Sequence, residues 1–474
     1  MKKKCKHKKK ARKRKLWKKK IWLVNLNKTS GITLIALVVT IVVLIILATV
    51  SINAVFGENG LIKKAEQAKE YNDKAQLEEK LKLCEVEARL DNKELKDILI
   101  KEQMIDEASL ETKGILKINN STNFFAISNS YGLEELSTSV KEGNDYSGVV
   151  IYLLNDITFD VTFDSETGEL LSGKAFEPIG DSNSRIEDES LEGSIKKEFN
   201  GTFKGLNHEI KNLYINENSE GTYCTGLFGY IGEEGIVENV IISDSYISGN
   251  YETGSIVGRN RGAIKNCINK SSISANKLTG GIAGRNCGTI EECINYGDIN
   301  TTKEQTGGIV SNCDFGENIK VSNCKNYGNI TSTSNMIGGI VGATWQGNDT
   351  YSNVNVEINN CENYGSIGGE ESNYIYIGGI VGRSRANVSN CINNGNINGY
   401  QNVGGIMGHI RATASNCINK GNIKGYESVG GIVGMTKTST LIENCKNYSS
   451  IVGNYRNIGG ICGFNSGRNN LKMQ

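Results

Sequence analysis

Residues 404–423 carry the sequence GGIMGHIRATASNCINKGNI, and the same two-part pattern recurs about every 26 to 40 residues from residue 254 onward. Its first part is a GGIVG-like box that opens at Gly254, Gly280, Gly307, Gly338, Gly378, Gly404, Gly430 and Gly459. Its second part follows the pattern N-C-x-N-x-G-x-I, with the cysteine at Cys267, Cys293, Cys324, Cys361, Cys391, Cys417 and Cys445. Because self-similarity at such spacing is typical of solenoids, the sequence predicts a stack of short repeats.

The recurring positions of the repeat indicate how its turns stack. The second residue after each of these cysteines is always asparagine, and the sixth is always isoleucine. Isoleucine and cysteine are expected to point inward as ladders, glycine and asparagine to adopt left-handed turn conformations, and asparagine side chains to hydrogen-bond between neighbouring turns. We therefore predict a mainly β protein, a right-handed parallel β-helix-like solenoid whose rungs lie about 4.8 Å apart.

The repeat region resembles the GLUG repeat family of bacterial surface proteins. Residues 199–213 read FNGTFKGLNHEIKNL, similar to the F-x-G-x-F-D-G-x-G-H-x-I-x-x-L stretch that often precedes GLUG boxes, although Lys204 replaces the usual acid. The resemblance spans residues 199–463, and the motif also occurs in some IgA-specific metallopeptidases outside their catalytic domain. Residues 121–198 are expected to form the first solenoid turns, with a short helix over 131–142 as the N-terminal cap.

An apolar segment at residues 32–56 predicts a single transmembrane helix, because its first 19 residues contain no charge. The preceding residues 1–31 contain 15 Lys and Arg and no Asp or Glu. This basic leader is expected to stay in the cytoplasm, which places the C-terminal domain outside the cell membrane. Residues 57–120 begin with many strong helix formers and predict a helical stalk or linker.

The junction from Gly31 to Ala36 reads GITLIA and resembles the type IV prepilin signature. The resemblance implies cleavage after Gly31 by a prepilin peptidase, followed by N-methylation of Ile32. Pilins usually carry glutamate at the fifth mature position, where this sequence has Ala36, which weakens the prediction of a filament subunit. An uncleaved signal anchor is the alternative.

Few residues indicate catalysis or a cofactor. The histidines His7, His208 and His409 are scattered, no H-E-x-x-H helix or C-x-x-C pair is present, and we predict neither a metal site nor a cofactor.

Because the cysteines recur once per repeat and the total of 13 is odd, buried free thiols are favoured over disulfides. A polysaccharide-active β-helix enzyme remains a weaker alternative, resting on fold analogy alone. The basic leader precedes an apolar segment, so no nucleic-acid partner is predicted.

The longest repeat unit, between Gly338 and Gly378, suggests a binding site because long insertions in solenoids commonly carry binding. Its candidate binding residues are Trp345, Tyr351, Tyr374 and Tyr376. The ligand would be an extracellular protein or a glycan, although Tyr374 and Tyr376 also fit alternating strand positions.

The polar tail at residues 464–474 follows half a repeat, which suggests a truncated product. The sequence thus predicts a non-catalytic, membrane-anchored display protein for adhesion, with a pilin-like subunit as the alternative.

Overall fold

A computed structural model describes residues 34–57, 60–183, 196–333, 335–344, 355–368, 375–437, 440–466 and 472–473. The predicted processing residues Gly31 and Ile32 lie outside these ranges. The chain divides into two compact units, Met1–Leu83 and Cys84–Gln474.

The helices precede the repeats. Their bounds are Leu34–Phe56 (α1), Leu61–Asp91 (α2), Leu95–Lys101 (α3), Glu107–Thr112 (α4) and Ser130–Lys141 (α5). Helix α1 is apolar and exposes its side chains from residue 37 to residue 54, and by length and composition it could cross a membrane. Helix α2 is rich in Lys, Glu and Ala and begins in the first unit, and its residues from Cys84 belong to the second.

Helix α5 packs on the core as its apolar spacing predicts. Leu133, Leu136 and Val140 are fully buried in the same cluster as Ile151 of the following strand. The Asn129 side chain caps the helix by accepting a hydrogen bond from the Gly132 amide at 3.1 Å. The predicted helix over 131–142 is therefore present, one residue earlier at each end.

Five stacked sheets make a mainly β, parallel solenoid of about 11 turns within the described residues, as the repeats predict. Along one turn the chain visits sheets I to V in order. Sheet I consists of Ile115–Lys117, Phe124–Ile127, Val150–Leu153, Thr202–Lys204, Ile236–Glu238, Ala263–Lys265, Thr289–Glu291, Asn318–Ser322, Asn355–Asn359, Asn387–Ser389, Thr413–Ser415, Leu441–Glu443 and Lys472–Met473. Its first two strands are antiparallel and its others are parallel.

Sheets II and III follow sheet I in each turn. Sheet II consists of Ile157–Thr158, Glu209–Lys211, Ile241–Ser243, Ile268–Asn269, Ile294–Asn295, Lys325–Asn326, Glu362–Asn363, Ile392–Asn393, Ile418–Asn419 and Lys446–Asn447. Sheet III consists of Tyr214–Glu217, Tyr246–Gly249, Ile273–Ala275, Ile299–Thr301, Ile330–Ser332, Ile397–Asn398, Ile423–Gly425 and Ile451–Gly453. Ile367 bridges Ile330 to Ile397 and so makes sheet III continuous.

Sheets IV and V complete each turn. Sheet IV consists of Cys224–Thr225, Glu252–Thr253, Thr279–Gly280, Gln305–Gly307, Met336–Gly338, Tyr376–Gly378, Gln401–Gly404, Glu427–Gly430 and Ile458–Gly459. Sheet V consists of Phe228–Ile231, Val257–Asn260, Ala283–Asn286, Val310–Cys313, Val341–Ala343, Val381–Ser384, Met407–Ile410, Val433–Thr436 and Cys462–Asn465. Two short antiparallel pairs near the start join Thr162–Phe163 to Leu170–Ser172 and Asp181–Ser182 to Lys196–Lys197.

The GGIVG-like box forms the bend from sheet IV to sheet V. In one box Gly378 ends a sheet IV strand, Ile380 is fully buried at the bend, and Val381 begins a sheet V strand. The prediction that the repeat glycines adopt left-handed conformations is wrong, since no described glycine in either part of the repeat motif has a positive φ. Close backbone approach requires glycine instead, because a Cβ on Gly378 or on Gly404 would lie 2.0 Å from a carbonyl oxygen.

The second part of the repeat turns the chain from sheet I into sheet II. The residue before each cysteine has the left-handed conformation, for example Asn390 at φ 55° and Asn416 at φ 54°. The prediction of a left-handed asparagine is thus confirmed before the cysteine, but it is wrong for the asparagine two residues after the cysteine, which has no positive φ. The cysteine itself then points inward, and its thiol donates to a carbonyl two residues earlier, as Cys391 does to Ser389 at 3.2 Å.

The asparagine two residues after each cysteine forms a continuous buried asparagine ladder. Each Nδ2 donates to the Oδ1 of the asparagine in the next turn, with distances of 2.8 Å for Asn363 to Asn393 and for Asn393 to Asn419. The same Nδ2 also donates within its own turn, as Asn363 does to the Gly365 carbonyl at 2.9 Å. The predicted hydrogen bonding between turns is confirmed, and it satisfies amides that have no access to water.

Of the twelve described cysteines, the buried ones should react with thiol reagents only after unfolding. All twelve are free thiols, and ten of them are buried. Burial raises the pKa of Cys293 and Cys361, so the reactive thiolate is disfavoured. A colorimetric thiol assay on the unfolded, unreduced chain should count all 13 cysteines of the sequence. A count short by two or more would show that disulfides form, contrary to the prediction of free thiols.

Candidate contact surfaces of the solenoid

Of the aromatic residues predicted to bind a ligand, the structure describes one. Trp345, Tyr351 and Tyr374 lie outside the described residues, whereas Tyr376 begins a sheet IV strand. The Tyr376 ring is half-buried, with its centroid 5.4 Å from the His409 ring and the Arg383 guanidinium 5.2 Å above it. Tyr376 is thus part of a packed cluster rather than an isolated exposed ring.

An exposed tyrosine ladder follows sheet II, and the repeat motifs do not predict it. It consists of Tyr296, Tyr327 and Tyr364, each three residues after a ladder cysteine. The ring centroids are 4.9 and 4.6 Å apart with interplanar angles of 11° and 7°, and the side chains remain 38–48% exposed. Because each inner face is covered by the next ring, the ladder presents ring edges and hydroxyl groups to solvent.

Polar groups line both sides of the tyrosine ladder. On one side Lys325 pairs with Glu362 at 3.3 Å, and Glu362 accepts a hydrogen bond from the Tyr364 hydroxyl. On the other side Asp298 and Asn329 accept hydrogen bonds from the backbone amides of the next turn, at 2.7 and 3.0 Å. The tyrosine ladder therefore lies among polar groups of sheet II and of the turns that lead into sheet III.

The phenol of Tyr364 should lose its proton at a higher pH than an ordinary tyrosine does. Its hydrogen bond to Glu362 raises the pKa of Tyr364 to about 12. In Glu362→Gln the charge that disfavours the phenolate is gone, so this pKa should fall toward the ordinary value of about 10. Ultraviolet difference titration of the wild type, Glu362→Gln and Tyr364→Phe would resolve this one phenol. If Glu362→Gln left the titration unchanged, the hydrogen bond would not control the Tyr364 phenol.

A second aromatic stack lies between sheets III and IV in the last described turns. Tyr400, Tyr426 and Tyr455 stack with centroid spacings of 4.9 and 5.3 Å and interplanar angles of 2° and 6°. Arg456 lies 5.2 Å from the Tyr455 ring centroid and pairs with Glu427 at 2.7 Å. Such stacks arise because parallel, in-register strands repeat one side chain every rung.

A polar cavity of about 500 Å³ lies beside the turn that carries His208. His208 Nδ1 is 3.1 Å from Asp156 Oδ1, and its Nε2 is 3.5 Å from Glu94 Oε2. Lys204 and Glu85 also line this cavity, and they form an ion pair at 2.8 Å. His208 lies directly after a turn and contacts the two carboxylates of Asp156 and Glu94. No group of three metal-ligating side chains is arranged around an ion site within the described part of the chain.

A buried ion network lies between sheets IV and V in the first half of the repeats. Glu252 accepts from Arg259 Nε at 2.6 Å and from Arg285 Nε at 2.7 Å, and Arg285 Nη1 donates to Asp314 Oδ1 at 2.5 Å. Glu252 and both arginines are completely buried. Burial alone would raise the pKa of Glu252, but Arg259 and Arg285 outweigh it and hold that pKa below its ordinary value.

In sequence, known proteins match this chain only over about a fifth of its length. No family model matches the sequence. Halomucin of Haloquadratum walsbyi is 29% identical over 102 residues, which is 22% of this chain and 1% of halomucin. A "Putative Gly-rich membrane protein" of Evansella cellulosilytica is 34% identical over 97 residues, which is 20% of this chain and 10% of that protein.

One solved structure matches this chain at low similarity. It is the crystal structure of a "putative immunoglobulin A1 protease" from Bacteroides ovatus, with 18% sequence identity and a TM-score of 0.41. The match covers 71% of this chain and 84% of that one. The local matches thus relate parts of this chain to a halomucin and to a protein named as a glycine-rich membrane protein.

Proposed function

We propose that this protein is a membrane-tethered repeat protein whose solenoid is displayed outside the cell, where it supports adhesion or another surface interaction without catalysis. One observation carries the proposal: the same chain contains the apolar, exposed helix α1 and a solenoid whose turns repeat solvent-facing aromatic and polar groups in register. Tyrosine is enriched where proteins bind one another, because it supplies contact area at low entropic cost.

The proposed membrane topology follows from the distribution of charged residues along the chain. The basic leader at residues 1–31 stays in the cytoplasm, α1 crosses the cell membrane, and the solenoid lies outside. Protease added to intact cells should then digest the solenoid and leave the leader protected. Protection of the solenoid until the cells are permeabilised would reverse the proposed orientation.

Adhesion is tested with the full-length chain in lipid vesicles. Vesicles that display the protein should attach to cell envelopes or to extracellular glycans, whereas protein-free vesicles of the same lipid should not. A matched vesicle sample with heat-denatured protein controls for non-specific apolar attachment. The proposal fails if displayed protein never attaches more vesicles than the denatured sample does.

A pilin-like subunit is the second candidate, favoured by the GITLIA junction after the basic leader. We propose that a prepilin peptidase cleaves the chain after Gly31. This cleavage can be tested separately from the display function. Intact-mass measurement of the membrane-extracted chain would show a new, methylated N-terminus at Ile32 if processing occurs. An unprocessed N-terminus would leave a simple signal anchor, and the proposed display function would stand.

A further inference from the structure

Outward-facing side chains form columns where each turn passes from sheet II to sheet III. In the turns of Cys267, Cys293 and Cys324, the third, fifth and seventh residues after the cysteine are exposed, and the second, fourth and sixth are buried. In the turn of Cys361 the third and fifth residues are exposed in the same way. Because the rungs stack in register about 4.8 Å apart, each outward position repeats as a column. We name the exposed residues of these four turns the polar strip.

The polar strip offers many groups that donate or accept hydrogen bonds. Its first column contains the tyrosine ladder, whose ring edges and hydroxyl groups face solvent. Its second column consists of Ser272, Asp298, Asn329 and Ser366. Its third column consists of Ser274, Asn300 and Thr331. Hydroxyl and amide side chains supply both donors and acceptors, so the strip can match a ligand that carries many hydroxyl groups.

Little charge is exposed on the polar strip. Its charged side chains are Lys270 and Asp298, which have opposite signs, and Lys270 pairs with Glu209 at 2.9 Å. Beside the strip Lys325 pairs with Glu362 at 3.3 Å. A polyanion or a polycation would therefore find no row of opposite charges here. The strip also contains no exposed aliphatic side chain, whereas the centre of a protein interface is usually apolar.

A polar cavity of about 600 Å³ lies at the first turns of the polar strip. Ser272, Ser274 and Asn300 of the strip line one side of the cavity. Residues 165–167 line the other side, and they belong to the turn that joins the strands Thr162–Phe163 and Leu170–Ser172. The columns thus lead directly from the cavity along the tyrosine ladder.

The hairpin that forms the outer wall of this cavity is fixed against the solenoid. Within its turn the Asp164 carboxylate accepts two backbone hydrogen bonds, both at 2.8 Å. The Tyr214 hydroxyl donates to the Gly168 carbonyl at 2.8 Å. The Phe163 ring centroid lies 5.7 Å from that of Tyr214 and 5.9 Å from that of Tyr246. The cavity is therefore preformed, as sites for small ligands usually are.

We propose that the polar strip binds a neutral, β-linked polysaccharide, with one end of the bound stretch in the cavity. An extended β-linked glycan advances by roughly one rung for each sugar, so successive sugars meet equivalent groups. Sugar hydroxyls both donate and accept, and they pair with the hydroxyl and amide groups of the three columns. The C–H groups of the sugars contact the ring edges of the tyrosine ladder. The inference rests on the proposed function, because it names the ligand class of a displayed solenoid.

The first test compares two matched double variants of the full-length chain in a detergent without a sugar head group. Tyr296→Phe with Tyr327→Phe removes two hydroxyl groups from the polar strip and keeps both rings. Tyr400→Phe with Tyr426→Phe removes two from the half-buried second aromatic stack. Calorimetry measures affinity for cellohexaose, chitohexaose and α-linked maltohexaose. We expect a β-linked hexaose to bind more tightly than maltohexaose, and the first variant to weaken it about tenfold, the control less than about twofold.

The second test blocks the cavity and varies the length of the ligand. Ser274→Trp places a large side chain at the cavity wall and should weaken the same hexaose about tenfold. The control Ser219→Trp adds the same side chain at an exposed position outside the polar strip and should change affinity less than about twofold. Affinity should also rise from the disaccharide to the tetraose, because the strip spans four rungs. A disaccharide that binds as tightly as the hexaose would show a small-sugar site rather than a polysaccharide site.

Three further results would overturn the proposal. These are equal losses in the two tyrosine double variants, equal losses in the two tryptophan variants, and no binding of either β-linked hexaose.

Vesicle attachment separates this inference from the display function. Periodate cleaves the vicinal diols of sugars, so envelopes oxidised with periodate should no longer hold vesicles that display the protein. Attachment that survives periodate but is lost after protease treatment of the envelopes would show a protein ligand. In that case this inference is wrong and the display function survives. If vesicles attach to neither untreated envelopes nor glycans, the display function falls as well.

Discussion

Glu252→Gln should lower the free energy of unfolding by about 3–5 kcal/mol, the usual cost of removing one partner from a buried ion pair. The substitution keeps the shape of the side chain but removes the charge that Arg259 and Arg285 share at 2.6 and 2.7 Å. Both guanidinium groups remain buried, and Arg285 keeps its pair with Asp314. Urea unfolding measures the change, with hydrogen exchange across turns 252–314 because repeat arrays can unfold in segments.

Glu427→Gln is the matched control. It removes the same charge from another sheet IV strand, where Glu427 pairs with Arg456 at 2.7 Å. The Arg456 side chain is 62% exposed, so water replaces the lost partner and the cost should stay below about 1 kcal/mol. Equal losses in the two variants would mean that the buried ion network contributes no more than a surface pair.

The pH dependence of stability should separate the wild type from Glu252→Gln. Because the folded-state pKa of Glu252 lies below its ordinary value, its contribution is complete above the pKa of the unfolded carboxyl, about 4.3. It is lost as the pH falls through the folded-state value. The wild type should therefore lose its advantage over Glu252→Gln in acid. An advantage that stayed constant from pH 7 to pH 3 would contradict this assignment.

How far the sequence predicts this structure depends on which positions recur. The ladder cysteines and the asparagines and isoleucines two and six residues after them recur in every second part of the repeat, and the predicted inward ladders and turn-to-turn hydrogen bonds are present. The predicted reason for the recurrence of glycine is wrong. The sequence pattern alone does not show whether glycine is required for a left-handed φ or for close backbone contact. The box glycines satisfy the second requirement, as a Cβ on Gly404 shows.

The candidate contact residues were harder to predict because they occupy variable positions. The third residue after the ladder cysteine is tyrosine in three adjacent turns but asparagine at Asn394 and lysine at Lys420. Aligning the repeats by their cysteines would have revealed the tyrosine ladder, because in-register neighbours stack. The same alignment places Arg259 over Arg285, whereas their partner Glu252 lies in a segment that no motif marks.

Asn363→Asp should destabilise the middle of the solenoid by about 3 kcal/mol or more at pH 7, although the two side chains have the same shape. Asn363 Nδ2 donates to the Asn393 side chain at 2.8 Å and to the Gly365 carbonyl at 2.9 Å. An aspartate has no donor, so its oxygen would face two acceptors in a site with no exposure. Urea unfolding with hydrogen exchange in the adjoining turns measures the effect.

Asn394→Asp supplies the control one residue away, because Asn394 is half-buried at the solvent-facing position of the same turn. Its effect should stay within about 0.5 kcal/mol, as for most surface substitutions. Acid should partly rescue Asn363→Asp, since burial raises the folded-state pKa of the new carboxyl and the protonated form can donate one hydrogen bond. The penalty is therefore full at neutral pH and shrinks as the pH falls through that raised value. Equal penalties in the two variants, or a penalty that grows in acid, would show that the asparagine ladder does not hold the turns together through its donors.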